Sequence, residues 1–160
     1  MLFRSVKDRG YLNQEAFKPE YKVMKNSQWE DISCDIFMPA ALDGVINGKN
    51  AEKLDFKLIV EAANIPTTPE ADVVLERRGI PVAPDFIVNL GATRLCDAVP
   101  FGLIPLEAQA LIDDSQSIIR EHIRNLFCMK QEQGITLREA ARIRCQPLPS
   151  EAPDVEWNEK

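Results

Sequence analysis

A chain of 160 residues, 45% hydrophobic and 28% charged, has the size and composition of one soluble domain with a buried core. Its formal net charge of -6 argues against a nucleic-acid partner, because neutralising phosphates takes clustered Lys and Arg, and here the bases are scattered among acids. No apolar run approaches the ~20 residues of a membrane span and the opening MLFRSVKDRG lacks an export signal's apolar centre, so no membrane partner and a cytoplasmic location are expected.

LFRSV at residues 2–6 reads as a short strand, and the DRGYLN that follows has the Asp, Gly and Asn of a turn. Residues 14–24 are weakly helical and interrupted by Pro19, and residues 26–33 form a polar connection. CDIFMP is the next strand. Its consecutive Ile36, Phe37 and Met38 predict burial on both faces, and Pro39 ends it. Gly44 and Gly48 divide residues 40–54 into a short helix, a turn at INGKN and a second helical piece in NAEKL. KLIVEAAN is again a continuous apolar run ending in small and polar residues.

Thr67, Thr68, Pro69 and Glu70 make a helix start: a hydroxyl caps free N–H groups, proline tolerates the first turn, and an early acid suits the dipole. Ala71, Val74 and Leu75 give that helix an apolar face, Glu76, Arg77 and Arg78 its solvated side, and Gly79 its left-handed stop. IPVAPD is a third short strand. LGATRLCDAVPFGLIP is loop-like or a broken helix, and a long helix follows over residues 106–133. Its apolar stripe holds Ile112, Ile119, Ile123, Leu126 and Phe127, while Asp113, Asp114 and Ser115 mark a point where it can break. Gly134 ends it, Thr136 caps TLREAARIRC, and the acidic, proline-rich residues 147–160 are expected to be a disordered tail.

Strand, helix, strand, helix, strand is the rhythm of an α/β fold with a parallel sheet and crossover helices, followed here by a C-terminal helical segment. Such sheets bind ligands outside the carboxyl ends of their strands. The loops there hold Pro39, Ala40 and Ala41, then Ala62, Ala63 and Asn64, then Asp85 and Asn89. Small residues let a flat ring or a ribose approach the backbone, and an Asn amide both donates and accepts. Tight packing and turn formation account for the same residues when they are read alone. Cys34, Cys96, Cys128 and Cys145 are far apart with no C-x-x-C pair, and His122 is the single histidine, so no metal is expected. The cysteines read as reduced small hydrophobes, and His122 as a surface or half-buried side chain.

DIFMPAA at residues 35–41 and EAANIPTTPEAD at residues 61–72 resemble the paired signatures of the glutamate/leucine/phenylalanine/valine dehydrogenase family, with glutamate dehydrogenase its nearest branch. The resemblance covers residues 31–91 and extends faintly to Leu137, Arg138 and Ala141. It implies a partial Rossmann-type NAD(P)-binding domain at residues 1–104, a C-terminal helical segment of the same domain at 105–146, and NAD or NADP as cofactor. In the family Pro39, Ala40 and Ala41 would lie against the adenosine side, Ala63 and Asn64 by the nicotinamide ribose, and Asn89 near the nicotinamide amide. A substrate-contacting serine of the glutamate-using members falls on Cys96. The implied reaction is reversible oxidative deamination of an L-amino acid to a 2-oxo acid and ammonia.

The same comparison exposes departures. No G-x-G-x-x-G turn occurs in the sequence, NAGG becomes Asn89-Leu-Gly-Ala92, and the acid expected on the adenosine ribose falls on Val6, with Asp8 reaching it only by a register shift. No lysine stands in a setting resembling the family's catalytic site, so no catalytic residue is assigned. A shortened dehydrogenase, inactive by itself, is the expectation; a non-catalytic interaction or complementation module and a gene remnant are the alternatives. An N-terminal dehydrogenase partner chain or a second copy would complete it.

Overall fold

The computed structural model describes residues 26–146, together with Lys7–Asp8, Tyr11–Leu12 and Pro19. The strand expected at residues 2–6 with Val6, the helix at 14–24 and the acidic tail at 147–160 lie outside the described residues. The chain forms two compact units, Met1–Ile32 and Ser33–Lys160. In the first, β1 (Lys7–Asp8) pairs antiparallel with β2 (Tyr11–Leu12), Lys7 opposite Leu12 and Asp8 opposite Tyr11, so Asp8, Tyr11 and Leu12 of the expected DRGYLN turn are strand residues. Asn26–Asp31 is a 3₁₀ helix where the sequence suggested only a connection.

The second unit contains a parallel sheet of β3 (Ser33–Phe37), β4 (Asp55–Val60) and β5 (Val82–Ala83), in that order. Cys34 pairs with Phe56 and Phe37 with Ile59; Ile59 pairs onward with Val82. This is the expected α/β architecture. Two-sided burial of β3 does not hold, since Ile36 and Met38 remain 59% and 57% exposed. Among the described residues β3 has a neighbour on one side only, and consecutive apolar residues at an edge cannot all be covered.

The helices expected between β3 and β4 are replaced by turns, because the backbone groups there find distant partners. Ile46 donates to the Pro66 carbonyl and accepts from the Thr68 N–H, at 2.9 Å each, forming a parallel bridge with Thr67. Gly44 adopts a left-handed φ of 57°, and the Asn47 and Asn50 side chains bond to the carbonyls of Gly44 and Val45. Asparagine amides that satisfy nearby backbone compete with the helical ladder.

The β4-to-β5 crossover is α1 (Pro69–Arg77), and it forms as the sequence predicts. Thr68 Oγ1 accepts from the Ala71 N–H, Ala71 and Leu75 are fully buried, and Gly79 takes φ 72° beyond the last turn. Two of its solvent-side bases reach back, Arg77 to Glu52 and Arg78 to the Ala51 carbonyl.

After β5 come α2 (Asp85–Val88), α3 (Gly91–Ala98), α4 (Ala108–Gln133) and α5 (Leu137–Arg144). Helix α4 runs through Asp113 and Asp114 without a break. Gln109 bonds Asp113 one turn away at 2.7 Å, and Arg94 of α3 forks onto Asp114 at 2.9 and 3.2 Å, so neither acid competes for the backbone. Gly134 stops α4 with φ 67°, and Thr136 with Glu139 makes a complete capping box for α5. Ile87, Leu126, Leu137, Ala140 and Ala141 form the core between α2, α4 and α5. Of the expected stripe, Leu126 is fully buried and Ile112 is 48% exposed. His122 is half-buried. All four thiols are free, but Cys96, Cys128 and Cys145 are exposed and do not pack as core hydrophobes.

Candidate functional site

The carboxyl ends of β3, β4 and β5 come together at one end of the sheet. Pro39, buried just past β3, accepts at its carbonyl from the N–H groups of Ala62 (3.0 Å) and Ala63 (2.8 Å), which joins the loop after β3 to the loop after β4. Ala40 and Ala41 lie exposed beyond that junction, and Ala62 and Ala63 are half-buried. From the third strand end, α2 delivers Asn89 as its C-cap. Asn89 Nδ2 donates to Asn64 Oδ1 at 2.8 Å. Ala40, Ala41, Ala62, Ala63, Asn64 and Asn89, with Leu42 and Asp43, line a single open cleft.

Residues picked from three separate loops therefore share one surface. The cleft can accept a flat, polar ligand: four alanines offer little bulk, and an amide pair that is already bonded keeps further donor and acceptor capacity. Cys96 does not line it. It sits exposed on α3. A more enclosed groove between α1 and the α4–α5 turn, lined by Asp72, Glu76, Lys130, Arg138 and Arg142 among others, meets the sheet only at the amino end of β5 and lacks the amide pair.

Behind the cleft lies a set of bonds that the sequence did not single out. Glu61, the last residue before Ala62, is fully buried. Its Oε2 accepts from the Asp85 N–H at 3.0 Å, and its Oε1 accepts from Arg138 Nη2 at 2.7 Å. Arg138 also places Nε 2.6 Å from Asp72 Oδ2 as an ion pair. Asp85 in turn accepts from the Ile65 N–H at Oδ2 (2.7 Å) and from the Asn89 N–H at its main-chain carbonyl (2.8 Å). Ile65 adopts φ 48°, in the left-handed region. A carboxylate closing the apolar run KLIV was the available signal, since a charge at a buried strand end needs a partner.

Burial pushes the Asp72 carboxyl above its ordinary range, outweighing the attraction of Arg138. Burial works against the Arg138 charge as well, but the hydrogen bond to Glu61 and the nearby carboxylates offset it and hold the guanidinium more firmly protonated than usual.

Residues 2–144 match the family model described as Glutamate/Leucine/Phenylalanine/Valine dehydrogenase. The chain is 38% identical over 110 residues to the NAD-specific glutamate dehydrogenase of Peptoniphilus asaccharolyticus, covering 66% of this chain and 26% of that protein. It is 48% identical over 73 residues to the NADP-specific glutamate dehydrogenase of Saccharolobus shibatae, covering 46% of this chain and 17% of that protein. The chain thus spans about a quarter or less of the length of the curated relatives it matches. The crystal structure of L-tryptophan dehydrogenase from Nostoc punctiforme superposes with a TM-score of 0.67 at 26% identity, over 76% of this chain and 37% of that one. With nearly its whole length matched by one family model and the expected strand-end loops in place, the chain belongs to the glutamate/leucine/phenylalanine/valine dehydrogenase family.

Proposed function

We propose that this chain supplies one wall of an NAD or NADP cleft of an amino-acid dehydrogenase, and that these 160 residues alone do not turn over substrate. The observation that carries the reading is the convergence of Ala40, Ala41, Ala62, Ala63, Asn64 and Asn89 on one cleft at the carboxyl ends of three parallel strands. Ala40 and Ala41 would take the adenosine side, and Asn64 and Asn89 the nicotinamide ribose and carboxamide. When bound, the dinucleotide supplies the acceptor for a hydride from the amino acid's α-carbon. The chain's own share is to bind and orient. Cys96, at the position expected to touch substrate, donates a hydrogen bond poorly. The relatives' names include both NAD-specific and NADP-specific enzymes, and the choice between them is left to residues outside this cleft.

Calorimetric titration of the purified chain with NADH tests this. We expect a Kd on the order of 1 mM, weakened about tenfold by Asn64→Ala or Asn89→Ala, because one lost amide hydrogen bond is worth ~1 kcal/mol or slightly more. No glutamate-dependent NAD(P) reduction should accompany it. Robust turnover by the isolated chain would overturn the inactivity, and binding indifferent to both substitutions would remove the cleft.

A second reading, in which the chain completes its sheet with another polypeptide, is favoured by the edge of β3 that has no neighbour among the described residues, with Ile36 and Met38 exposed. The strand would come from an N-terminal dehydrogenase chain or from a second copy. Sedimentation equilibrium should then find concentration-dependent association that Ile36→Lys suppresses; a monomer at every concentration, with no change on substitution, counts against the second copy.

A further inference from the structure

We propose that Glu61 is a positioning residue that couples helix α5 to the Asn64–Asn89 amide pair; its bearing on cofactor rests on the reading above. The route is continuous and every step is a short polar contact. Arg138 of α5 holds Glu61 Oε1 at 2.7 Å while its Nε stays with Asp72 of α1. Glu61 Oε2 holds the Asp85 N–H at 3.0 Å, at the first residue of α2. Asp85 then fixes both amides at once. Its carboxylate holds the N–H of Ile65, the residue after Asn64, and its carbonyl holds the N–H of Asn89. The two side chains close the ring at 2.8 Å.

Two facts make this more than a local cap. Glu61 is fully buried, so its oxygens have only fixed protein donors to face, and Arg138 is the one that holds Oε1. Arg138 is shared between two carboxylates on different elements, β4 and α1, and its planar fork is what allows both to be held at once. Displacing α5 therefore releases Glu61, then Asp85, then the amides that face the cleft. Arg138 Nε meets Asp72 as an ion pair and not through an aligned hydrogen bond, so the directed part of the route is the Arg138–Glu61–Asp85 sequence.

The test uses the full chain labelled with nitrogen-15. In Glu61→Gln the side-chain volume stays, but one oxygen cannot accept from both Arg138 and Asp85. We expect the Asn64 and Asn89 carboxamide signals to move toward those of free asparagine, and Ile65 amide exchange to quicken about tenfold or more. NADH binding should fall about tenfold. Arg138→Lys, whose compact ammonium lacks the separate nitrogens that face Glu61 and Asp72, should move the same signals by less, and it carries the test should Glu61→Gln fail to fold. Leu54→Ala empties a fully buried site just before β4, at the sheet end away from the cleft, and should lower stability while leaving both carboxamides in place.

Glu61→Gln or Arg138→Lys spectra with unmoved carboxamides would overturn the coupling, as would Leu54→Ala shifting them equally. Absence of NADH binding by the unsubstituted chain would instead overturn the cofactor reading. The carboxamide signals decide the coupling in either case.

Discussion

Replacing Arg138 with methionine is expected to destabilise the chain by about 3–5 kcal/mol, a large share of the ~5–15 kcal/mol that holds a domain folded. Methionine fills much of the volume, so the loss is electrostatic. It strands Glu61, which has no exposed surface, and deprives the half-buried Asp72 of its cation. Arg138 itself keeps 14% of its side chain accessible, which places the expected cost nearer the lower figure. Glu61→Gln combined with Arg138→Met should recover part of the loss, because the neutral amide removes the fully buried carboxylate and leaves only the half-buried Asp72 without its guanidinium. Urea unfolding of the four proteins of this cycle measures it. A single Arg138→Met variant within ~1 kcal/mol of the parent would show that water already reaches Glu61.

Leu126→Ala should cost about 3 kcal/mol, within the 2–5 kcal/mol typical of emptying a buried leucine site. Leu126 has no exposed surface and belongs to the cluster with Ile87 of α2 and Leu137, Ala140 and Ala141 of α5. Ala140 and Ala141 cannot extend into the vacancy, while Ile123, Met129 and Ile135 pack against the cluster and can fill part of it, which places the expected cost in the lower half of that range. Ile112, on the same expected stripe but 48% exposed, is the comparison. Its alanine variant should shift the unfolding midpoint by less than a third as much. Equal losses at the two positions would mean that the α4 stripe is covered by something beyond these contacts.

The cleft was legible because its determinants are local. Small residues and asparagines after each apolar run can be read from order alone, and the parallel sheet brings successive run-ends together without further instruction. Cap residues share that property, and Thr68, Gly79, Gly134 and Thr136 all act where their chemistry places them. The misreadings were of non-local matters. Residues 40–54 have the composition of short helices until the bonds from Ile46 to Pro66 and Thr68 are known. The run Ile36, Phe37, Met38 signals burial, but whether a strand has two neighbours is a property of the sheet. Glu61 and Arg138 are 77 positions apart, and nothing within a window of either points to the other. The free thiols were read by residue-type preference, which fails at three exposed positions.

Ile65 brings these strands together. A β-branched residue at φ 48° is an unfavourable local choice, costing roughly 1–2 kcal/mol against an ordinary backbone, and 68% of its side chain is exposed, so packing does not repay it. The conformation is held by its N–H on Asp85 and by its carbonyl, which accepts from Gly44 at 3.0 Å. The turn beside Asn64 is therefore a loaded catch with two pins, one from the β3–β4 connection and one from α2. Each pin offsets part of the cost of the left-handed backbone next to Asn64, so the shape of this cleft wall is maintained from two separate connections and not by the local preference of Ile65.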